Sequence, residues 1–310
     1  MKTINSKLSI RGRMAKRAVK RLFSIYTLNK LLTKEYALLY KYNIKTPKGY
    51  SLRKFNLDTL KVEVLEMKKN KTDKIILQFH GGAYVMGYNN SYRKIAHRYS
   101  KVAKGATVVS IDYRTAPEYK YPAALEDAQK VWDYLLSKGI SPNNIVIVGD
   151  SAGGNLAVAF TMKLRDEFKS LPKALVLISP WLDLKRQGQS YIYNLYNDPM
   201  FGLKKKQSEY NERDFDLLYA YAGSTALDDK GLSPIYGDFH NFPPMLIQVG
   251  THEVLESDSL TLYEKAKAEG VDALIYRFVG MFHCFQMVGN YSPEVKLAWL
   301  YIKEFLNKHL

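Results

Sequence analysis

Residues 148–155 have the sequence Val148-Gly149-Asp150-Ser151-Ala152-Gly153-Gly154-Asn155 and directly follow a run of β-branched residues. The pattern Gly149-x-Ser151-x-Gly153 is typical of a nucleophile elbow, a turn from a strand into a helix that holds a serine in a strained, exposed conformation. Glycine is needed on either side of the serine because so tight a turn brings backbone segments together, where a side chain would collide. A serine hydroxyl reacts only with the help of a base and of donors for an oxyanion, so both are expected elsewhere in the chain.

Short apolar segments alternate with helical patterns from about residue 60 onward. The candidate strands are Val62–Met67, Ile75–Phe79, Thr107–Ile111, Ile145–Val148, Ala174–Ile178, Met245–Val249 and Leu274–Phe278. The candidate helices are Tyr92–Ala103, Pro122–Leu136, Ala152–Phe168, Asp258–Glu269 and Pro293–Asn307. This order predicts an α/β fold with a mostly parallel central sheet flanked by helices. The first two strands follow each other without a helix, which predicts an antiparallel start to the sheet.

Two segments fall outside this alternation. One is the N-terminal region up to about residue 45, and the other runs from Trp181 to about Phe242 and is rich in Tyr, Lys and Asp. Both have partly helical patterns and can cover the C-terminal edge of the sheet, where open α/β sheets bind their ligands. We therefore predict a main domain of residues 46–180 and 243–310, with a helical cap built from residues 1–45 and from an insertion, residues 181–242.

Two loops downstream of Ser151 carry candidate catalytic partners. Glu253 lies in the loop Gly250–Leu255 after the candidate strand Met245–Val249, and His283 lies in the loop Gly280–Phe285 after Leu274–Phe278. Loops after parallel strands open at the same edge of a sheet as the elbow. His283 can therefore accept the Ser151 proton, while Glu253 fixes the imidazole tautomer and stabilises its charged form.

Two other titratable residues lie beside the candidate acid. Asp258 comes five residues after Glu253, where the following helix has begun, so Glu253 is the preferred acid and Asp258 the alternative. His252 precedes Glu253 and is expected to line or support the loop.

The tetrapeptide His80-Gly81-Gly82-Ala83 follows the candidate strand Ile75–Phe79, a position suited to an oxyanion loop. The expected donors are the backbone N–H groups of Gly81 and Gly82, together with that of Ala152 after the nucleophile. Glycine leaves these amides accessible, because a side chain would block the approach of a substrate carbonyl.

The composition excludes several classes of protein. The single cysteine, Cys284, excludes a disulfide framework and a metal–thiolate cluster. The chain has no run of about 18 uninterrupted apolar residues, and no apolar block of signal-peptide length follows the basic N-terminus. A cytoplasmic location without metal or cofactor is therefore expected.

The formal net charge is +16, and basic residues crowd the segment Arg11–Arg21. Apolar residues recur there at helical spacing, which predicts an amphipathic helix with a basic face. The first interpretation is a cap helix whose charges lie in water, and the second is contact with anionic lipid headgroups. No nucleic-acid partner is expected, because the sequence has no helix-turn-helix, zinc-finger or RNA-binding signature.

Four motifs occur in the order found in one known family. They are His80–Tyr84, Asp112-Tyr113-Arg114-Thr115-Ala116-Pro117-Glu118 with Tyr121–Ala124 and Asp127, Gly149–Asn155, and Gly280-x-x-His283-x-Phe285. Over roughly residues 60–308 the chain resembles the bacterial branch of the hormone-sensitive lipase family, the HGG-type carboxylesterases with an α/β-hydrolase fold. The chain departs from the family pattern at Ala83, Glu253 and Cys284, where Gly, Asp and Gly are common.

The resemblance implies a serine carboxylesterase that hydrolyses short- to medium-chain acyl esters through an acyl-enzyme on Ser151. Its partner is a small-molecule ester, and a homodimer stays open. Tyr84 and Trp181 are candidates for the substrate pocket, with plain core packing as an equal alternative. The other functions considered are a deacetylase or lactonase with the same triad, and a non-catalytic ligand-binding or membrane-surface homologue.

Overall fold

In the computed structural model, one sheet of nine strands runs through the described part of the chain, which comprises residues 1–4, 7–22, 45–203 and 220–310. The strands are β1 (Lys2–Ile4), β2 (Tyr50–Leu57), β3 (Leu60–Met67), β4 (Ile75–Phe79), β5 (Thr107–Asp112), β6 (Ile145–Asp150), β7 (Ala174–Ile178), β8 (Met245–Gly250) and β9 (Ala273–Phe278). Their order in the sheet is β1-β9-β8-β7-β6-β4-β5-β3-β2.

The sheet is parallel except at one end. Strand β3 pairs antiparallel with both β2 and β5, while the pairs from β5 through β4, β6, β7, β8 and β9 to β1 are parallel. The predicted α/β class and the antiparallel start are therefore confirmed. Strands β1 and β2 were not predicted, because β1 has only three residues and Arg53 and Lys54 interrupt the apolar residues of β2.

Seven helices accompany the sheet in the described residues. They are α1 (Ile10–Leu22), α2 (Asn90–Val102), α3 (Ala123–Ser137), α4 (Ala152–Asp166), α5 (Ser190–Tyr193), α6 (Glu256–Ala268) and α7 (Pro293–His309). The five helices predicted from the sequence correspond to α2, α3, α4, α6 and α7, with ends that differ by one or two residues.

Helices cover both faces of the sheet because side chains alternate along each strand. Leu77 of β4 is fully buried in one core with Trp132 of α3 and Phe160 of α4. Its neighbour Ile76 is equally buried in the opposite core, which includes Trp299 of α7. The central strands thus have two apolar faces, and both are packed.

The turn from β6 into α4 is built on close backbone contacts. A Cβ atom on Gly149 would lie 2.2 Å from the Gly153 carbonyl oxygen, and one on Gly153 would lie 2.2 Å from the Phe79 carbonyl oxygen. Between these glycines Ser151 has φ 52° and ψ −121°, a conformation that L-residues rarely adopt. The predicted elbow is therefore present, with its serine strained as the motif requires.

The described parts of the predicted cap include α1 and α5. Residues 23–44 and 204–219 lie outside the described residues, so the cap boundaries stay predictions. One correction applies to the N-terminal part: Lys2–Ile4 forms strand β1 and pairs in parallel with Tyr276–Phe278 of β9. These residues belong to the sheet rather than to the cap, because the free edge of β9 offers them backbone hydrogen bonds.

None of the helices in the described ranges combines the length and the apolar character needed to cross a membrane. The cytoplasmic location stays a prediction.

The elbow contacts predict that Gly153→Ala destabilises the fold by about 2–3 kcal/mol, because the new methyl group meets backbone atoms that cannot move aside. Gly139→Ala is the matched control, since Gly139 has φ +79° and nothing within 4 Å of its added Cβ. Its cost is about 1–2 kcal/mol from backbone conformation alone. Urea unfolding measures both free energies, and equal losses in the two variants would contradict the collision.

Candidate active site

The elbow fixes both backbone groups of Ser151. Its N–H donates to the Ile178 carbonyl at 2.9 Å, and its own carbonyl accepts from Asn155 at 3.0 Å and from Trp181 at 3.1 Å. Ser151 is only 7% exposed. The serine is therefore held at the carboxyl ends of β6 and β7, with no freedom to leave its strained conformation.

Glu253 lies in the loop between β8 and α6, residues Thr251–Leu255, which we call the acid loop. Its side chain is fully buried, and Oε2 lies 3.1 Å from His283 Nδ1. Oε1 accepts from the Gly250 N–H at 2.5 Å and from Ser179 Oγ at 2.9 Å. Burial raises the pKa of Glu253, while His283 and the Gly250 N–H favour its charged form. The carboxylate is thus desolvated but has partners on both oxygens.

Asp258, the alternative acid, serves another purpose. Its Oδ2 accepts from the backbone N–H groups of Leu182 at 2.7 Å and Asp183 at 2.9 Å, and from the Tyr191 hydroxyl at 3.2 Å. Burial, followed by the charge of Asp183, raises the pKa of Asp258 well above its ordinary value. Asp258 therefore holds the start of the insertion against α6, and it is Glu253 that contacts the histidine.

His283 is held between two loops that pack backbone to backbone. The N–H groups of Thr251 and His252 donate to the carbonyls of Phe278 and Met281, both at 3.0 Å. A Cβ on Gly250 would lie 2.3 Å from the Met281 carbonyl oxygen, so only glycine permits this approach. The contacts fix the spacing between the acid and the base.

The imidazole of His283 is 3% exposed and has a partner on each nitrogen. Nδ1 faces Glu253, and Nε2 lies 3.3 Å from the thiol sulfur of Cys284. The ring of Phe201, from the insertion, packs edge-on against it with centroids 4.7 Å apart. In the tautomer with its proton on Nδ1, toward Glu253, the lone pair lies on Nε2, the nitrogen that acts as the base in a catalytic triad.

The predicted oxyanion loop lies against Asp150 at Gly81, and its donors stay a prediction. The Gly81 N–H stabilises the Asp150 carboxylate, and a Cβ on Gly81 would lie 2.4 Å from Asp150 Oδ2. Among the described residues, the backbone hydrogen bonds outside helices and strands include none donated by Gly82, Ala83 or Ala152. These three amides are therefore the candidate donors. In the sequence, the contact at Gly81 could have been found from Asp150, a carboxylate inside the elbow that needs a hydrogen-bond donor.

Asp150 connects the elbow to this loop. It is 8% exposed, and its Oδ2 accepts from the Tyr92 hydroxyl at 3.0 Å. Burial raises the pKa of Asp150 to about 6, against the stabilising effects of Tyr92, His283 and the Gly81 N–H. Asp150 therefore connects the elbow to Tyr92 of α2 and to Gly81 of the oxyanion loop.

His80 supports the same loop from below. Its ring stacks on Tyr113 with centroids 4.0 Å apart and planes 2° from parallel, and the Tyr113 hydroxyl donates to the His80 carbonyl at 2.6 Å. His80 Nδ1 lies 2.7 Å from the Gly81 carbonyl. Burial lowers the pKa of His80, so the neutral ring has a structural role.

The two candidate pocket residues are both hydrogen-bonded to Asn155 of α4. Tyr84 is 2% exposed, stacks on Tyr221 at 3.9 Å, and donates its hydroxyl hydrogen to Asn155 Oδ1 at 2.7 Å. Asn155 Nδ2 donates to the Trp181 carbonyl at 2.7 Å, and Trp181 is 5% exposed. Both rings are fixed by the packing, and their contact with a substrate stays a prediction.

Potential metal ligands meet at one place in the described residues, where Asp238, His240 and Glu269 lie close together. All three are exposed, and Asp238 Oδ1 already pairs with Arg165 at 2.8 Å. An exposed, internally paired group of this kind does not indicate a metal centre.

Comparisons with known proteins agree with this geometry. A family model described as alpha/beta hydrolase fold matches residues 76–287, a range that contains the elbow, the oxyanion loop, Glu253 and His283. The chain is 32% identical over 254 residues to an esterase of Acinetobacter venetianus, covering 82% of this chain and 81% of that protein. It is 34% identical over 223 residues to an acetyl-hydrolase of Streptomyces hygroscopicus, covering 72% of each.

Solved structures extend the similarity to nearly the whole chain. The crystal structure of an esterase from the bacterial hormone-sensitive lipase family superimposes with a TM-score of 0.83 at 30% identity, covering 98% of this chain and 99% of the other. Matching sequence, sheet topology and site geometry lead to one assignment: the chain belongs to the α/β-hydrolase fold family, within the bacterial branch related to hormone-sensitive lipase.

Proposed function

We propose that this protein hydrolyses carboxylic esters, with Ser151 as nucleophile, His283 as general base and Glu253 as the acid of the triad. The observations that carry the proposal are the buried Glu253–His283 pair, with 3.1 Å between Oε2 and Nδ1, and the strained backbone of the elbow serine. The similar proteins named esterase and acetyl-hydrolase support it. No triad member is missing, which argues against a non-catalytic homologue.

The reaction proceeds through an acyl-enzyme. His283 Nε2 takes the Ser151 proton as Oγ attacks the ester carbonyl, and the resulting imidazolium gives that proton to the departing alkoxide. Water, deprotonated by His283, then attacks the acyl-enzyme and releases the carboxylic acid and free Ser151. Glu253 stabilises the imidazolium in both halves of the cycle. No cofactor takes part in these steps.

The tetrahedral intermediates carry a negative oxygen that needs hydrogen-bond donors. The proposed donors are the backbone N–H groups of Gly82, Ala83 and Ala152, while Gly81 holds the loop through Asp150. Each such donor stabilises the transition state by about 2.7–4 kcal/mol. Because the amides are fixed before the substrate binds, little reorganisation accompanies the reaction.

The substrates are proposed to be small-molecule esters with short- to medium-chain acyl groups. The aromatic packing of Tyr84 on Tyr221 and the placement of Phe201 on His283 restrict the space near the nucleophile. The similarity to an acetyl-hydrolase keeps acetyl esters in this class. A lactonase would use the same triad, and a substrate panel distinguishes these chemistries.

Ser151→Ala is expected to lower kcat/KM for p-nitrophenyl butyrate by about 10⁴- to 10⁶-fold, because no other group supplies the nucleophile. The matched control is Ser141→Ala, since Ser141 caps the exposed turn Pro142–Asn144. Mass spectrometry after treatment with a serine-directed phosphonate should place the adduct on Ser151. Full activity in Ser151→Ala would contradict the assignment.

Glu253→Gln is expected to lower kcat by about 10³- to 10⁴-fold, because the amide neither stabilises the imidazolium nor fixes its tautomer. Asp258→Asn should leave kcat near that of the parent. The role of Asp258 lies in the free energy of unfolding. Its pKa is raised in the folded state, so the stability that its protonated carboxyl contributes is fully present below about pH 4 and is lost as the pH rises through the folded-state pKa. The unfolding free energy of Asp258→Asn should therefore fall less steeply above pH 4 than that of the parent. A kcat loss equal to that of Glu253→Gln would make Asp258 the acid.

We further propose that α1 brings the enzyme to anionic lipid surfaces. Helix α1 packs inward through Gly12, Ala15 and Val19, which are buried. Its outward side carries exposed cations and exposed apolar residues, namely Arg11, Arg13, Arg17, Lys20, Arg21, Ile10 and Met14. Ile10 is 69% exposed and Met14 is 52% exposed. Cations with aliphatic side chains on one face suit the headgroup region of an anionic bilayer.

Removing three of these charges is expected to weaken co-sedimentation with phosphatidylserine-containing vesicles by about 100-fold. The variant combines Arg13→Gln, Arg17→Gln and Arg21→Gln. The control removes three exposed lysines elsewhere, Lys68→Gln, Lys69→Gln and Lys104→Gln. Equal losses in both variants, or equal binding to neutral vesicles, would argue against a docking role of α1. The homodimer stays a prediction.

A further inference from the structure

Three buried polar residues of the insertion lie on one side of a short run of turns. They are Ser190, Asn194 and Asp198, which we call the polar ladder. Backbone hydrogen bonds of 3.0 Å join Asn194 N–H to the Ser190 carbonyl and Asp198 N–H to the Asn194 carbonyl. This four-residue spacing places the three side chains on the same face. Their exposed fractions are 0%, 2% and 3%.

Every member of the polar ladder contacts the backbone of the acid loop. Asn194 Nδ2 donates to the carbonyls of Glu253 at 2.8 Å and Thr251 at 2.9 Å. Asp198 Oδ2 accepts from the Val254 N–H at 2.9 Å, and Ser190 Oγ donates to the Val254 carbonyl at 2.5 Å. The backbone on either side of the Glu253 side chain is therefore held by the insertion.

Asp198 also positions the ring that packs on the histidine. Its Oδ1 accepts from the N–H groups of Met200 at 2.8 Å and Phe201 at 3.1 Å, closing a tight turn. That turn presents the Phe201 ring to His283. The Asp198 carboxylate thus links Val254 of the acid loop to Phe201, whose ring packs on His283.

We infer that the polar ladder positions the triad acid, so that the insertion is part of the catalytic machinery as well as a cover over it. Ser190, Asn194 and Asp198 are positioning residues, since they act through Glu253 and His283. The inference rests on the proposed function and goes beyond it by assigning a catalytic requirement to the insertion.

The charge of Asp198 adds a second effect. Among the described residues, the titratable groups that face His283 are Glu253, Asp198, Asp150 and the Cys284 thiol. Burial raises the pKa of Asp198, but three backbone N–H groups and His283 favour its charged form. Lys16 of α1 contacts His252, and burial lowers the pKa of Lys16 to about 8 although the charge of Asp198 raises it. A negative Asp198 therefore helps to stabilise the imidazolium formed during the reaction.

The experiment compares polar-ladder variants with matched variants elsewhere in the insertion. Asp183→Asn matches Asp198→Asn, because buried Asp183 accepts from the N–H groups of Lys185 and Gln187 and does not touch the acid loop. Ser233→Ala matches Ser190→Ala, because buried Ser233 accepts from the Leu184 N–H. All four are measured in the full chain after thermal unfolding has shown that each is folded.

Asp198→Asn is expected to lower kcat for p-nitrophenyl butyrate by about 10- to 100-fold with little change in KM, because a small displacement of the acid misaligns the base. The acidic limb of its pH–kcat/KM profile should move to lower pH, since one negative charge near the imidazolium is lost. The downfield proton resonance of the His283 Nδ1–H should weaken or disappear. Ser190→Ala should change the same quantities in the same direction by a smaller factor and serves if Asp198→Asn does not fold.

The controls should keep kcat, the pH profile and the downfield proton at parent values, even if they unfold at lower temperature. The inference is overturned if each ladder variant has the same kcat, pH profile and downfield proton as its control. It is also overturned if only KM rises, which would mean that the insertion contacts the substrate and does not position the acid. These results are distinguishable from a failure of the proposed function, because that failure would appear as full activity in Ser151→Ala.

Discussion

The close approach of backbone at the elbow is the constraint on which the site depends. Gly149 and Gly153 allow β6 to turn into α4 with carbonyl groups where any Cβ would collide. The same contact forces Ser151 to φ 52° and directs the first amide of α4, that of Ala152, toward the site. Strain that would be costly in a free peptide is sustained because β6 and α4 are buried on all sides.

Four buried carboxylates hold the segments around that turn together through hydrogen bonds. Asp150, Glu253, Asp198 and Asp258 are each nearly inaccessible to water, and each accepts hydrogen bonds from backbone N–H groups or hydroxyls. Burying an unpaired charge is very unfavourable, so the folded state requires these hydrogen-bond partners. The same partners also fix the geometry of the site. Each carboxylate joins segments distant in sequence, and together they fix the oxyanion loop, the acid loop and the insertion around one histidine.

Residues of the predicted insertion contact the backbone beside Glu253 and the ring of His283. The polar ladder contacts that backbone, and Phe201 packs on the ring. In the proposed mechanism Ser151, Glu253 and His283 act from the ends of parallel strands, while residues 190–201 restrict the freedom of Glu253 and His283. Such support is valuable here because glutamate has one more rotatable bond than aspartate, and a longer acid needs more restraint to keep its geometry.

The sequence by itself determined the α/β class, the seven apolar strands, the five long helices and the elbow, because periodicity and tight-turn glycines are local signals. It also singled out Glu253 and His283 by their positions after strands. It could not show that Gly81 lies against the Asp150 carboxylate, that Lys2–Ile4 joins the sheet, or that Ser190, Asn194 and Asp198 contact the acid loop. Those features arise from pairings between distant segments, and only the tertiary structure decides which donor meets which acceptor.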